Sequence, residues 1–503
     1  MIYSFYLTYP LSINSANDLV FNHVSILYWF SLPLLLVSMF LMALTTKSNL
    51  LKWILAIGIV LTFFSLSYFF SMMSTTDSEY FRGTTEYFIQ TKSLDPSNHM
   101  YFQWPAYFIL ADIVTSVSGL TLVNFEFLLY TVVVFFLATA LFVYGSKKFT
   151  NGGVLVVVAF FISITYFTNL QAVPFSLALG LLFLLFMLET QRKSTSSMVA
   201  MLVLYMSLLL THVFVPLFFV LYLLVRSLLD KNGMNRIYYR NLFLFALVSY
   251  FLVELSLASF SFEQLVASLT KSPLESYSYI ASQTLVSSSA QYSISTIAQF
   301  FSRTVTIVSV GICAASFILI FIKRKLNAVD KAILFSGVIY SGLGALLNTL
   351  GWRALPVAFI PISLGAAFLF QGKFKPYIAG LFVVLLAIVL FVPIHQSLNE
   401  TVFQTKETYI SDNFFIDHYD FARSGLVVAD IASISYITPK LNFYENIHQY
   451  LNIGDKPDAI LYSPQFVGDF GNYSSMQSYS QGEGLNLLYN DGSFCIYIRP
   501  SSN

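Results

Sequence analysis

Residues 124–148 read NFEFLLYTVVVFFLATALFVYGSKK. The run up to residue 144 is long enough for one membrane crossing, because a bilayer core of about 30 Å needs roughly 20 mainly apolar residues. Lys147 and Lys148 follow the run directly. Since basic residues mark the cytoplasmic ends of membrane helices, this stretch predicts a transmembrane helix that runs from the outer side to the cytoplasm.

Similar apolar runs recur along the first four fifths of the chain. Spanning backbone must be helical, because lipid offers no partner for backbone N–H and C=O groups. We predict about twelve crossings, near 25–44, 52–72, 124–144, 153–168, 173–189, 197–210, 212–227, 239–259, 303–322, 331–350, 353–370 and 376–394. Basic residues concentrate in alternate short loops, which the positive-inside rule places in the cytoplasm.

The composition agrees with this interpretation. Of the 503 residues, 57% are hydrophobic and 10% charged, against about 25% charged in soluble domains. A net charge of +1 gives no basic face for nucleic acid. Cys313 and Cys495 lie far apart, so neither a disulfide framework nor a cysteine metal site is indicated.

The expected fold is mainly α, a polytopic bundle over 25–394 with a small α/β domain at 395–503. Residues 1–24 lack the pattern of a cleaved signal peptide and are expected on the extracytoplasmic side. The outer loops 73–103 and 260–302 and the C-terminal domain should lie there too. In that domain, 426–428 and 434–437 are β-prone.

Two further placements follow from keeping the basic loops on one side. The stretch 104–119 is apolar, but its crossing would put Lys147 and Lys148 outside. It is therefore expected to lie along the outer interface. The run 198–226 is basic at both ends, so it should form two short helices that meet near Thr211 and His212. His212 then lies near the outer face.

The first outer loop contains candidate catalytic groups. Asp77 would be placed at a membrane exit, where a carboxylate can take a proton from a polar acceptor while a lipid tail stays in the bilayer. Asp77 and Glu79 are oxygen ligands that suit a divalent cation such as Mg²⁺ or Mn²⁺. The alternative is structural, because Thr76 and Glu79 have the spacing of a helix capping box.

His212 and Arg353 are the other candidates, and each has two interpretations. His212 is either a functional intramembrane group or a neutral histidine hydrogen-bonded to the backbone. Arg353 either extends to the interface along its aliphatic stem or binds phosphate, whose oxygens match its planar fork. The sequence contains no P-loop, HExxH, GxSxG or GxGxxG motif, so nucleotide hydrolysis and zinc proteolysis are not indicated.

Four segments together resemble the GT-C class of integral membrane glycosyltransferases, in its archaeal-type form. They are Asp77 after an early helix, Tyr101 with Trp104-Pro105 before an interfacial helix, the Thr211-His212 break, and Arg353 with Pro356 and Pro361. The ending Tyr489-Asn490-Asp491-Gly492 is also similar to that of their outer domains. The Trp-Trp-Asp sequence of oligosaccharyltransferases is absent, which weighs against en bloc transfer to asparagine.

The resemblance implies an enzyme of the cell membrane that transfers one sugar, with inversion. The donor would be a polyprenyl phosphate or pyrophosphate, and the acceptor an extracytoplasmic protein, lipid or glycan. Asp77 would act as general base, while Arg353, His212 and Arg82 would contact the donor phosphate. Two other classes fit the residues: a transporter or flippase for a lipid-linked or amphipathic solute, and a noncatalytic partner of an assembly.

Overall fold

The computed structural model describes most of the helical part and short pieces of the C-terminal part. The described residues are 26–63, 76–96, 99–164, 173–189, 195–230, 233–258, 308, 311, 314, 318, 328–347, 355–370, 375–388, 406–419, 426–429, 436–437, 440, 447–448, 457–462, 479, 485–490 and 495–499.

The described part of the chain is mainly helical, as the sequence predicts, with one small sheet. Its fourteen helices are α1 Ile26–Thr45, α2 Asn49–Phe63, α3 Thr76–Thr91, α4 Ala106–Ser118, α5 Leu122–Ser146, α6 Gly152–Ile164, α7 Pro174–Glu189, α8 Thr195–Leu209, α9 Phe214–Leu229, α10 Gly233–Ser256, α11 Ala328–Leu347, α12 Leu355–Leu369, α13 Lys375–Ile388 and α14 Lys406–His418. Eleven of the twelve predicted crossings overlap one of these helices, while 303–322 lies almost wholly outside the described residues.

The centre of the bundle is α6, which packs against α12, α5 and α2. Its side chains from Val154 to Ile162 are all at most 2% exposed. A helix that is apolar on every side is stable only when neighbouring helices cover it. The uninterrupted apolar sequence of α6 therefore accounts for its central position.

Glycines allow α5 and α6 to approach closely beside the turn that joins them. A Cβ atom at Gly145 would lie closer than 3.0 Å to the carbonyl oxygen of Gly152, and a Cβ at Gly152 would meet that of Gly145 in the same way. Since both obstacles are backbone atoms, no side-chain movement can relieve them. The short connection between α5 and α6 thus requires both glycines.

Two of the described helices, α5 and α10, are long and apolar enough to cross a membrane, and eight shorter helices are also apolar. On α10, Leu244, Val248 and Leu252 are each about half exposed or more. They follow one another at intervals of four residues and so form an apolar stripe on one outward face. Such a stripe suits contact with lipid better than contact with water.

Helix α4 has three different faces. Tyr107, Phe108 and Ala111 are buried, while Ile109, Ile113 and Val117 form an exposed apolar row. On the polar side, Lys92 Nζ lies 2.6 Å from Asp112 Oδ1. This hydrogen bond holds the pKa of Asp112 below its usual value.

The C-terminal part contains a five-stranded mixed sheet in the order β2-β1-β3-β5-β4. The strands are β1 Val427–Ala429, β2 Ile447–His448, β3 Ala459–Tyr462, β4 Asn486–Asn490 and β5 Cys495–Ile498. Strand β1 is parallel to β2 and β3, while β5 is antiparallel to β3 and β4. Phe415 of α14 and Ile496 of β5 belong to one buried apolar cluster, so helix and sheet share a core.

The structure differs from the sequence prediction at 434–437. Tyr436 and Ile437, the described residues of that β-prone run, are helical. Tyr436 and Lys440 both contact Oε2 of Glu86, each at 2.7 Å. Residues four apart meet on one face of a helical turn, whereas they are about 13 Å apart along a strand. The shared contact explains why the helical conformation prevails.

We expect Gly145→Ala and Gly152→Ala each to destabilise the protein by about 1–3 kcal/mol, because the added methyl group overlaps a backbone oxygen. Gly180→Ala is the matched control. A Cβ there would lie 3.6 Å from Val133 Cγ2, an ordinary contact, and Ala is the better helix former. Thermal unfolding in one detergent would compare the three variants. Equal midpoints for all three would contradict the close approach of α5 and α6.

Candidate functional site

The first turn of α3 contains Asp77 and Glu79, since the helix begins at Thr76. Their side chains, and the whole of Arg353, lie outside the described part of the structure. Positions two apart on an α-helix do not face each other, so the helical backbone at 77–79 offers no common face for one cation. Among the described residues, no group of three acidic, histidine or cysteine side chains could hold a metal ion. The proposed cation stays a prediction.

Arg82, one of the predicted phosphate ligands, is held by Glu126 of α5. Its Nη2 lies 2.6 Å from Glu126 Oε2, and its Nε lies 3.1 Å from the same oxygen. The two side chains are 2% and 8% exposed. A buried guanidinium and a buried carboxylate each need the other, because removing one leaves an uncompensated charge. This ion pair therefore fixes α3 to the start of α5.

Aromatic side chains pack the segment after α3 against that helix. The ring centroids of Phe81 and Tyr101 are 4.6 Å apart, and those of His99 and Tyr87 are 4.9 Å apart. Tyr101 lies in a short 3₁₀ helix, Met100–Gln103. Edge-to-face ring pairs of this kind add about 0.5–1.5 kcal/mol each to the burial of their surface. The segment 99–104 is thus held on α3 by apolar contact.

Trp104 and Ala106 connect this segment to α10 and to the break after α8. Trp104 donates from Nε1 to Glu254 Oε1 of α10 at 3.3 Å. The backbone N–H of Ala106 donates to the carbonyl oxygen of Leu210 at 2.9 Å. Glu254 is 1% exposed, and its Oε2 has no hydrogen-bond partner among the described residues. These contacts bring α3, the 3₁₀ helix, α10 and the break after α8 together.

His212 lies in that break, between the end of α8 at Leu209 and the start of α9 at Phe214. Its Nδ1 accepts from the backbone N–H of Phe214 at 3.1 Å. An imidazolium has a proton on both nitrogens, so an accepting Nδ1 means that His212 is neutral and has its proton on Nε2. The ring is 7% exposed and packs on Phe175. The Nδ1 of His212 therefore stabilises the start of α9, and its proton lies on Nε2.

Glu86 connects α3 to the C-terminal part of the chain. Its Oε2 accepts from Tyr436 Oη and Lys440 Nζ, both at 2.7 Å. Tyr436 Oη also lies 3.1 Å from Asn413 Oδ1 of α14. The Lys440 and Glu86 side chains are 9% and 13% exposed, so the attraction between their charges is screened less than in open solvent. The helix with Asp77 is therefore bound to the bundle and to the sheet-containing part.

We call the end of the bundle where Glu126, Trp104, His212 and Glu254 lie the α3 end. A second set of polar contacts marks the opposite end, which we call the Lys148 end. There, Asp330 of α11 accepts from Tyr144 Oη at 2.9 Å and pairs with Lys148. Glu126 and Tyr144 are both on α5, and their separation along this helix is about 27 Å at 1.5 Å per residue. That distance is close to the thickness of a bilayer core, about 30 Å.

The sequence interpretation missed several residues of the α3 end. Glu126 is a single acid inside a predicted membrane helix, and an acid in that position is a functional or paired group by default. Glu254 has the same signature near the end of α10. Lys440 had no such signal, because its partner Glu86 is distant in sequence and nothing in the local pattern identifies it.

Comparison of the sequence with known proteins adds no assignment: no protein-family model and no curated protein matches it.

We expect Glu126→Gln to destabilise the protein by about 3–5 kcal/mol, because Arg82 would stay buried without its counter-ion. The double variant Arg82→Met with Glu126→Leu should recover most of that loss, since it buries no charge. Lys92→Met is the control at an exposed pair, where the loss should stay within about 1 kcal/mol. Denaturant unfolding in detergent would measure all three. A double variant as unstable as Glu126→Gln would contradict the assignment of the loss to an unpaired charge.

His212→Ala should lower the free energy of unfolding by about 1 kcal/mol, a typical loss for a missing helix cap. His212→Asn should be close to wild type, because its short amide oxygen can accept from the Phe214 N–H as Nδ1 does. The same unfolding assay compares the two variants. If Asn destabilises as much as Ala, the hydrogen bond to Phe214 is not the main structural role of His212.

Proposed function

We propose that this chain is a multi-pass membrane glycosyltransferase that resembles the GT-C class. It would transfer a sugar from a polyprenyl-phosphate or pyrophosphate donor to an extracytoplasmic acceptor, with inversion at the anomeric carbon. Asp77 would be the base. The active site and the C-terminal domain would lie on the extracytoplasmic side of the cell membrane.

The observation that supports this proposal most is the position of α3. This helix is fixed to the apolar bundle by Arg82 and Glu126, and to the sheet-containing part by Glu86 and Lys440. A lipid-linked donor has an apolar tail and a polar sugar phosphate. Its reaction therefore requires a boundary between an apolar environment for the tail and a polar environment for the sugar phosphate. An acid in the first turn of α3 would lie at that boundary.

The separation of polar contacts into two ends supports the multi-pass topology. Glu126 at the α3 end and Tyr144 at the Lys148 end are about 27 Å apart along α5, as estimated from the helical rise. The apolar stripe of α10 faces outward between them. Charged residues are costly in the middle of a bilayer and less so near its surfaces.

In the proposed reaction, Asp77 takes the proton of an acceptor hydroxyl. The hydroxyl oxygen then attacks the anomeric carbon on the face opposite the phosphate. The new C–O bond forms as the bond to the phosphate oxygen breaks, and its electron pair leaves with the phosphate. Attack from the opposite face inverts the anomeric centre.

The leaving phosphate gains negative charge, so donors and cations near it lower the barrier. We assign this role to Arg353, through its planar fork, and to the neutral Nε2–H of His212. Because Nε and Nη2 of Arg82 are held by Glu126, we assign Arg82 to positioning α3 rather than to direct phosphate contact. No step requires a cation held by Asp77 and Glu79.

The test uses purified protein in nanodiscs with radiolabelled polyprenyl-phosphate sugars and a pool of acceptors from the same membranes. We expect Asp77→Asn to lower the transfer rate by about 10²- to 10⁴-fold, because the amide keeps the shape and loses the base. Asp112→Asn is the matched control. Asp112 is on α4 and paired with Lys92 in partly exposed surroundings, so its loss should change the rate less than about twofold, as at most surface sites.

The same assay separates the alternatives. Donor movement across the membrane without sugar transfer would indicate a flippase, and neither activity would indicate a noncatalytic partner.

Donor binding to Arg353 variants tests the phosphate site: Arg353→Lys keeps the charge and loses the fork, and Arg353→Ala loses both. Ala should raise the donor Kd at least about tenfold, from the loss of one charge-assisted bond. Equal donor affinity of the wild type and the Ala variant would contradict the assignment of Arg353 to a phosphate site.

A further inference from the structure

A polar cavity of about 300 Å³ lies at the Lys148 end of the bundle, opposite the proposed active site. It opens between the start of α2, the end of α5 and the start of α6. Three lysines line it, Lys52, Lys147 and Lys148, together with Asn49 and Asn151. No step of the proposed reaction uses this cavity.

Two of these lysines are held in place by neighbouring groups. Lys148 is paired with Asp330. Lys52 donates to Asn151 Oδ1 at 2.5 Å, and an amide oxygen is neutral, so this contact positions the charge without cancelling it. Asn151 is itself fixed, because its Nδ2 donates to the carbonyl oxygen of Leu44 at 3.0 Å. Lys52 is therefore held in place at the cavity by α1 and by the turn before α6.

The backbone adds N–H donors to the same space. Helix α6 begins at Gly152, and Gly153 and Val154 of its first turn line the cavity. N–H groups in a first turn have no acceptor within their own helix, and the helix dipole favours an anion there. Side-chain cations and the first turn of a helix thus line one cavity, and helix N-termini bind phosphate in other folds.

We propose that this cavity binds a phosphate group, as a monoester or diester. Its volume is at the lower limit for small-molecule sites, about 300–1,000 Å³, so it would enclose a phosphate with a small substituent and not a whole lipid or nucleotide. The Lys148 end lies about one bilayer core from the α3 end by the helical rise. Anionic phospholipid headgroups of the opposite leaflet are therefore one source, and soluble phosphate is the other.

The competing explanation is that these lysines only fix the topology, as basic residues of cytoplasmic loops do. That role depends on charge near the helix end and not on the cavity. The test variant is the double substitution Lys52→Gln with Lys147→Gln, which leaves the Lys148–Asp330 pair intact. The control is Arg236→Gln with Arg240→Gln, which removes the same charge from exposed positions at the start of α10, outside the cavity.

Full-length protein would be purified in a neutral detergent from vesicles of phosphatidylcholine with or without phosphatidylglycerol. Native mass spectrometry would count retained phosphatidylglycerol, and thermal shift with inorganic phosphate would test the soluble source. We expect the double lysine variant to weaken binding of one of these probes at least about tenfold, from loss of charge-assisted bonds, and the arginine control to bind as wild type does.

Each outcome decides the proposal. Retained phosphatidylglycerol that is lost only in the lysine variant supports a lipid headgroup, and a phosphate shift lost only in that variant supports a soluble ligand. No binding of either probe to wild type, or equal loss in both double variants, overturns the cavity as a phosphate site. If the double lysine variant does not fold, Lys147→Gln alone, at an exposed position, is compared with Arg236→Gln by the same criteria.

Discussion

The cost of burying a charge without a partner governs where the polar residues of this protein lie. Arg82 and Glu126 are almost inaccessible, yet each satisfies the other. Lys148 and Asp330 do the same at the other end of the bundle. The helices between these pairs can therefore be apolar on nearly every face, as α6 is. Packing at the middle and ion pairs at the ends are two results of one constraint.

Much of the fold follows from local sequence. Helices α5 to α10 are predictable because each is an apolar run of suitable length, and the Thr211-His212 break follows from basic residues at both ends of 198–226. These inferences need only hydrophobicity and the sign of charge, which the sequence states directly.

The remaining features depend on which residues meet in space. Glu86 determines the helical turn at Tyr436 from a distant part of the chain, so the β-prone run 434–437 misleads a local prediction. Arg82 is a candidate phosphate ligand by type, yet Glu126 occupies two of its donors. For Asp77 and Arg353, the predicted catalytic and phosphate-binding roles rest on residue type and on the family resemblance. Their side chains lie outside the part of the chain that the structure describes.

The contact between Trp104 and Glu254 has a practical consequence. The chain has four tryptophans, and Trp104 is 3% exposed with its indole N–H directed at a carboxylate. Indole emission responds to nearby charge and to hydration. Fluorescence of a variant that retains only this tryptophan would therefore report, without an added label, when the 3₁₀ helix separates from α10.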